Sequence, residues 1–182
     1  VIIKNTIVGD NVVIQDGCKI GVKGFGFIPM KDKNFRFPHI GSVVLKNNVE
    51  LGANCTIDRG SIGDTVIGEN TFLDNQVHIA HNVIIGENTA IAACVGIAGS
   101  TKIGKNCTIG GGTGINGHIN IVDNVHIHGM AMVTKSINKP GQYASGTTIE
   151  PAASWRRNQA RYKNLDKIAK LVLTKNDGDN NE

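Results

Sequence analysis

Between Val66 and Val133 an aliphatic residue returns at every sixth position: Ile67, Leu73, Ile79, Ile85, Ile91, Ile97, Ile103, Ile109, Ile115, Ile121, Ile127 and Val133. Four places after each stands a second column, Thr71, Val77, Val83, Thr89, Val95, Thr101, Cys107, Thr113, Ile119, Val125, Ala131 and Ile137, nearly all small or β-branched. A helix repeats every 3.6 residues and a strand every two, so neither keeps two such columns aligned over this length. A six-residue solenoid does: each hexad is one short strand plus a turn, and successive coils stack as parallel β-sheets. The composition fits a narrow prism, with 23 glycines and only eight aromatic residues in 182. The expectation is an all-β solenoid of hexapeptide repeats followed by a C-terminal α-helix.

The period is already running at the start, as Ile2, Val8, Ile14 and Ile20, so an end cap is expected to lie before Val1. It breaks at residues 22–43, a loop holding four of the five phenylalanines, which reads either as a binding lip or as a cap folded back on the coils. A smaller insertion falls at residues 58–66. Asn70, Asn82, Asn88, Asn106 and Asn124 recur three places after the aliphatic column, where corners of the coil call for left-handed backbone. The solenoid is expected to span residues 1–137, with an exit loop at 138–150. From Pro151 the spacing turns helical: Trp155, Tyr162, Leu165, Ala169 and Val172 form an apolar stripe on a helix over 151–175, and residues 176–182 form a disordered acidic tail. The other face carries Arg156, Arg157, Arg161, Lys163, Lys167, Lys170 and Lys175 against Asp166, and reads as a solvated face or as a dock for an acidic partner.

The formal charge of +4 is too small to imply nucleic acid, and no signal peptide or bilayer-length apolar run is present, which points to a soluble cytoplasmic protein. Cys18, Cys55 and Cys107 fall on the second column and Cys94 one residue short of it. All four read as small buried thiols rather than disulfides, metal ligands or nucleophiles.

Three hexads make a coil of eighteen residues, so residues eighteen apart stack at about 4.8 Å. His81, Gly99 and Gly117, with His118 beside it, then share one edge of the prism. An imidazole there is suited to general-base work, and a stacked glycine leaves its N–H open to a developing oxyanion. Asp74 and Asn75, one hexad earlier, read either as orienting the His81 ring, although that spacing puts them on a neighbouring edge of one subunit, or as meeting His81 across a subunit contact. His78, His126 and His128 read as solvated corner residues. No serine-nucleophile motif or CxxC pair occurs, and Gly110-Gly111-Gly112 opens no helix and so is no nucleotide loop.

The runs Gly24-Phe25-Gly26-Phe27, Val49 to Gly60, Asp74-Asn75, Ile79 to Val83, Gly96 to Ser100 and Ile115 to His118 closely resemble the UDP-3-O-(3-hydroxyacyl)glucosamine N-acyltransferases of bacterial lipid A synthesis, over about Val1 to Trp155. The resemblance implies a left-handed parallel β-helix, assembled as a trimer with active sites between neighbouring prisms. It implies transfer of a 3-hydroxyacyl chain from acyl carrier protein to the 2-amino group of a UDP-linked, O-acylated glucosamine, with no metal and no resident cofactor. Carried over by position, His81 is the base, Asp74 the carboxylate that tunes it, His118 a second active-site histidine and Gly99 the oxyanion donor. Asn75, Phe25 and Phe27 are substrate contacts, and Arg156, Arg157 and Arg161 dock the carrier. The family's N-terminal uridine-binding domain has no counterpart here, and His39 stands where the family usually has glutamine. Rival readings are a sister hexapeptide transferase acting on UDP-GlcNAc or acetyl donors, a metal-bound β-helix hydratase, and a purely structural solenoid.

Overall fold

The computed structural model describes residues 1–146 and 148–178, with side chains to residue 171. Two compact units divide the chain, one ending at Gly146 and one beginning at Thr147. The first is a left-handed parallel β-helix. Its strands, mostly two or three residues long, form three parallel sheets that among the described residues hold seven, six and seven strands. The general preference for right-handed crossovers rests on a helix packing back onto a sheet. Here the link between two paired strands is two more strands and their corners.

Register follows the sequence period. His78 pairs with Gly96 and Gly96 with Gly114 on the first face, Ile84 with Lys102 on the second, and Phe72 with Ala90 on the third. The inward column is sealed, with Ile67, Ile79, Ile85 and Ile97 all at 1% exposure or less. Asn70, Asn82, Asn88, Asn106 and Asn124 turn the corners with φ between 54° and 60°. At the start the register differs from the simple count. Ile3, not Ile2, pairs with Ile20, because the first corner, turned at Asn5, is one residue shorter than the rest.

The second column has its own chemistry. Thr71, Thr89, Thr101 and Thr113 are buried, and each hydroxyl donates to a corner carbonyl fifteen residues on, at 3.2, 3.0, 2.7 and 3.3 Å. The Cys107 thiol reaches the Val122 carbonyl by the same step, and Cys18 and Cys55 reach Gly52 and Asp74. A small side chain with one donor suits this position whether it is Thr or Cys. Burial pushes the Cys55 thiol up to about 11 and raises Cys107 as well, so both are held as unreactive thiols. Cys94 corrects the expectation: it is exposed, on a corner with φ 60°.

The long insertion leaves the prism as an antiparallel hairpin, Phe27–Pro29 paired with Asn34–Arg36. Its rings cap nothing: Phe25, Phe27 and Phe35 are exposed. Among its described residues the C-terminal unit holds two helices rather than one, α1 at Ala152–Tyr162 and α2 at Leu165–Gly178. Asn164 divides them. Its N–H takes the Arg161 carbonyl in a tightened last turn, its side-chain amide takes the Ala160 carbonyl, and its own carbonyl starts the next helix by accepting from Ile168. Helix α1 buries no residue, and Trp155, Tyr162, Leu165 and Leu171 are exposed. Within the expected tail, residues 176–178 belong to α2; residues 179–182, like the side chains of Val172 and Lys175, lie outside the described residues.

Ile97→Ala is expected to cost about 2–5 kcal/mol, because the stacked neighbours are held by their own ladders and close little of the cavity. Thr101→Val keeps the shape but removes the bond to the Asn116 carbonyl, for about 1 kcal/mol. Urea unfolding followed by far-ultraviolet circular dichroism checks both values and their order.

Candidate active site

The first face carries an open groove of about 560 Å³, lined by Phe25, Asp58, His78, His81, Gly99 and Asn116 among others. His81 follows the inward Ile79 by two places, so its ring leaves the corner and lies on the next coil. There it rests on Gly99. A Cβ at that position would stand 2.6 Å from the ring Cε1 and 2.7 Å from Nε2, so any side chain would expel the imidazole. The corner is bonded vertically, Ser100 N–H to the His81 carbonyl and His118 N–H to the Gly99 carbonyl. The Gly99 N–H itself has no acceptor among the described residues.

The tautomer of His81 follows from its neighbour. Asn82 accepts the Ser61 N–H on Oδ1 at 2.9 Å and donates from Nδ2 to the Gly63 carbonyl at 3.0 Å, which fixes the amide's orientation. His81 Nδ1 lies 3.1 Å from that same Oδ1, so Nδ1 carries the hydrogen and Nε2, above Gly99, keeps the lone pair. Asn82 therefore holds the ring and chooses its basic nitrogen. Ser61 Oγ stands farther off, at 3.5 Å.

Asp58 and His39 complete the surroundings. The Asp58 carboxyl is 6% exposed and 3.9 Å from His78, and burial holds it above the usual carboxylate range, an effect that His78 and His81 oppose. His78 thus faces a carboxylate in the groove instead of standing alone at a corner. His39 is 3% exposed, its ring edge-on to His81 with centroids 5.2 Å apart. Gly24 makes room for both: a Cβ there would lie 2.9 Å from His39 Nε2 and 3.1 Å from His81 Cδ2.

The expected residues separate into two groups. His81, Gly99 and Phe25 share the groove, and Phe27 packs edge-on against Phe25 at 5.3 Å. His118 stacks on Gly99 through its backbone, but its side chain is exposed at a left-handed corner with φ 59°. Asp74 and Asn75 line a different groove of about 650 Å³ on the third face, where the Asp74 carboxylate accepts the Asn75 N–H at 2.7 Å. His126 lines that groove too, bonded to Thr108 and with its ring 4.9 Å from that of His128. Arg156, Arg157 and Arg161 are exposed on α1. Among the described residues no cluster of three or more His, Cys, Asp or Glu is placed to hold a metal ion, and no helix is long and apolar enough to cross a membrane. Asp58, Asn82 and the burial of His39 are new. One signal for Asp58 stood in the sequence, a carboxylate just after an inward isoleucine, where the next two coils have Ala80 and Ala98.

The model of the bacterial transferase hexapeptide family (six repeats) matches residues 64–99. UDP-3-O-acylglucosamine N-acyltransferases are similar over most of the chain: that of Hahella chejuensis is 52% identical over 165 residues, 91% of this chain and 47% of its own length, and that of Pseudomonas entomophila 55% identical over 168 residues, 92% and 48%. The chain is similar in sequence to these N-acyltransferases. It spans about half the length of the curated relatives it matches. Among solved structures, UDP-N-acetylglucosamine O-acyltransferase of Moraxella catarrhalis superposes with a TM-score of 0.69 at 24% identity, over 93% of this chain and 66% of that one, a likeness of fold alone.

Because burial raises the folded pKa of Asp58 above its unfolded value, its contribution to stability is complete at low pH and is lost as pH rises through the folded pKa. Asp58→Asn is therefore expected to raise the unfolding midpoint at pH 7, with the gain shrinking toward pH 4. Thermal melts of both proteins across that range check the sign.

Proposed function

We propose that this chain supplies the catalytic β-helix of an N-acyltransferase that moves a 3-hydroxyacyl chain from acyl carrier protein to the 2-amino group of UDP-3-O-(3-hydroxyacyl)glucosamine, in the cytoplasmic steps of lipid A synthesis. The observation that carries the reading is His81 lying on Gly99, an imidazole whose free nitrogen stands over a glycine whose N–H has no acceptor among the described residues. The 52% identity to enzymes of that name supports the choice of substrate class.

The steps follow from those groups. The sugar amine attacks the thioester carbonyl, its proton passes to His81 Nε2, and the carbonyl oxygen gains charge beside the Gly99 N–H. The C–S bond then breaks, and the proton held by His81 returns to the leaving thiolate, giving amide and thiol. Asp58 stabilises the transient imidazolium at some cost to folding. Asn82 keeps the lone pair on Nε2. No metal or resident cofactor is needed for this sequence. In a trimer, the first-face groove of one copy opposes the third-face groove of the next, which brings Asp74 and Asn75 of a neighbour toward His81, while His118 comes from the same chain's corner above Gly99. Phe25 and Phe27 line the entrance for apolar or ring-bearing parts of the substrates. The exposed arginines of α1 dock the acidic carrier.

His81→Ala is expected to lower the rate of amide formation by about 10² to 10⁴ without altering the fold. The assay uses hydroxyacyl carrier protein and the O-acylated amino sugar, with the chain alone and joined to the N-terminal half of a full-length relative. Near-normal turnover would remove His81 as the base, and preference for an N-acetyl sugar over the free amine would favour the sister O-acyltransferase.

Arg156→Glu with Arg157→Glu is expected to raise the Michaelis constant for the carrier protein at low salt, with kcat little changed and the effect fading as ionic strength rises. An unchanged constant at low salt would remove α1 as the dock.

A further inference from the structure

Beside the groove, on the other side of His39, lies a second pocket of about 420 Å³ whose lining includes Lys23, Gly24, Arg36, His39 and Arg59. Its charge is one-sided, three cationic side chains and no carboxylate. Its volume is that of a small-molecule site, about 300–1,000 Å³. Among the described residues two buried side-chain polar atoms lack a hydrogen-bond partner, His39 Nε2 and Arg59 Nε, and both belong to residues of this pocket. Buried polar atoms are nearly always paired, so two orphans in one cationic pocket point to an absent polar partner, an acceptor for Arg59 Nε–H and a proton or donor for His39 Nε2. The arginines are held in place from behind: Arg59 Nη1 donates to Asn5 Oδ1 at 2.6 Å, and Arg36 Nη1 donates to the Gly24 carbonyl at 3.2 Å while its guanidinium lies 5.4 Å from the Phe25 ring centre. The remaining guanidinium N–H groups are left for a ligand.

We propose that this pocket is a phosphoryl-binding subsite, taking a phosphate ester or diphosphate group of a ligand. The pocket supplies what such a group needs: planar guanidinium forks for its oxygens and a partly enclosed, carboxylate-free surrounding. Two ligands of the proposed reaction carry that chemistry, the nucleotide sugar and the phosphopantetheine arm of the carrier. The binding claim itself stands without the acyl-transfer reading.

His39 adds a proton to the event. Its Nδ1 lies 3.1 Å from the Phe37 carbonyl, which can only accept, so Nδ1 carries a hydrogen and the neutral ring presents a bare lone pair at Nε2. Burial holds this imidazole below its usual pKa; the Phe37 carbonyl works against that shift, and His81, Arg59 and Arg36 add to it, with Lys23 the remaining charged group of the pocket. A phosphoryl group reverses the balance, either by bringing its own acidic hydroxyl or by favouring the imidazolium. Binding therefore takes up a proton, and affinity rises as pH falls from 8 to 6.

The test is calorimetric titration of the 182-residue chain with inorganic diphosphate, UDP and pantetheine 4′-phosphate, repeated at pH 6 and 8 and in buffers of different ionisation enthalpy. Lys23→Ala combined with Arg36→Ala is expected to weaken binding at least about tenfold with an unchanged melting temperature, the loss of charge-assisted bonds. His39→Gln is expected to keep binding while flattening the part of the pH dependence that the probe's own ionisation does not explain. Tightest binding by UDP assigns the site to the nucleotide, tightest binding by pantetheine 4′-phosphate to the carrier arm, and equal binding to a general phosphoryl group. Failure of all three probes to bind in the millimolar range, or a double variant that binds as the parent does, overturns the proposal. Loss of transferase activity elsewhere does not bear on it.

Discussion

The register of the inward aliphatic column is the constraint on which the rest depends. Each isoleucine sits on another eighteen residues away, and a shift of one residue would turn every inward side chain out to solvent. The corners cannot then drift. They must turn within a fixed number of residues, and among the described residues fourteen non-glycine residues do so with positive φ, Asn82 and His118 among them. A column of bare aliphatics thus decides that residue 81 of one coil stands over residue 99 of the next, which makes an imidazole resting on a glycine a consequence of core packing.

What is built on that ridge works against stability in places. A carboxyl, three imidazoles and two guanidinium groups are gathered beside one insertion. Asp58 is buried at a cost to its charge, and His39 and Arg59 each keep a buried nitrogen unpaired. The coils between Ile67 and Val133, by contrast, pair their buried threonines one for one with corner carbonyls. Concentrated cost in one place and economy elsewhere is the pattern expected of a working site on a repeat scaffold.

The sequence made the repeat legible because period is a property of many residues at once; Ile67 to Val133 define it, and Asn82, Asn106 and Asn124 mark its corners. The stacking of His81 on Gly99 follows from that count alone. What stayed hidden lies where the count is interrupted. The insertion at residues 22–43 carries no period, so nothing in its residues announces that Gly24 brings His39 against His81. The shortened first corner at Asn5 moves the inward position from Ile2 to Ile3. The apolar spacing that continues from Trp155 to Leu165 conceals a break made by one side chain, Asn164, through bonds that spacing does not record. Nor does spacing reveal the partner of His78, because Asp58 lies a coil away across the second insertion.

His39 joins the two grooves it separates. Burial first, and then His81, Arg59 and Arg36, hold the His39 pKa below its usual value against the pull of the Phe37 carbonyl, and the His81 ring stands 5.2 Å away. A phosphoryl group in that pocket puts a proton on His39 but brings at least as much negative charge with it, so the field at His81 does not become more positive. A glutamine at position 39 would hold the same space without this coupling, which makes the proton step a property of this chain's own residue and not of the scaffold.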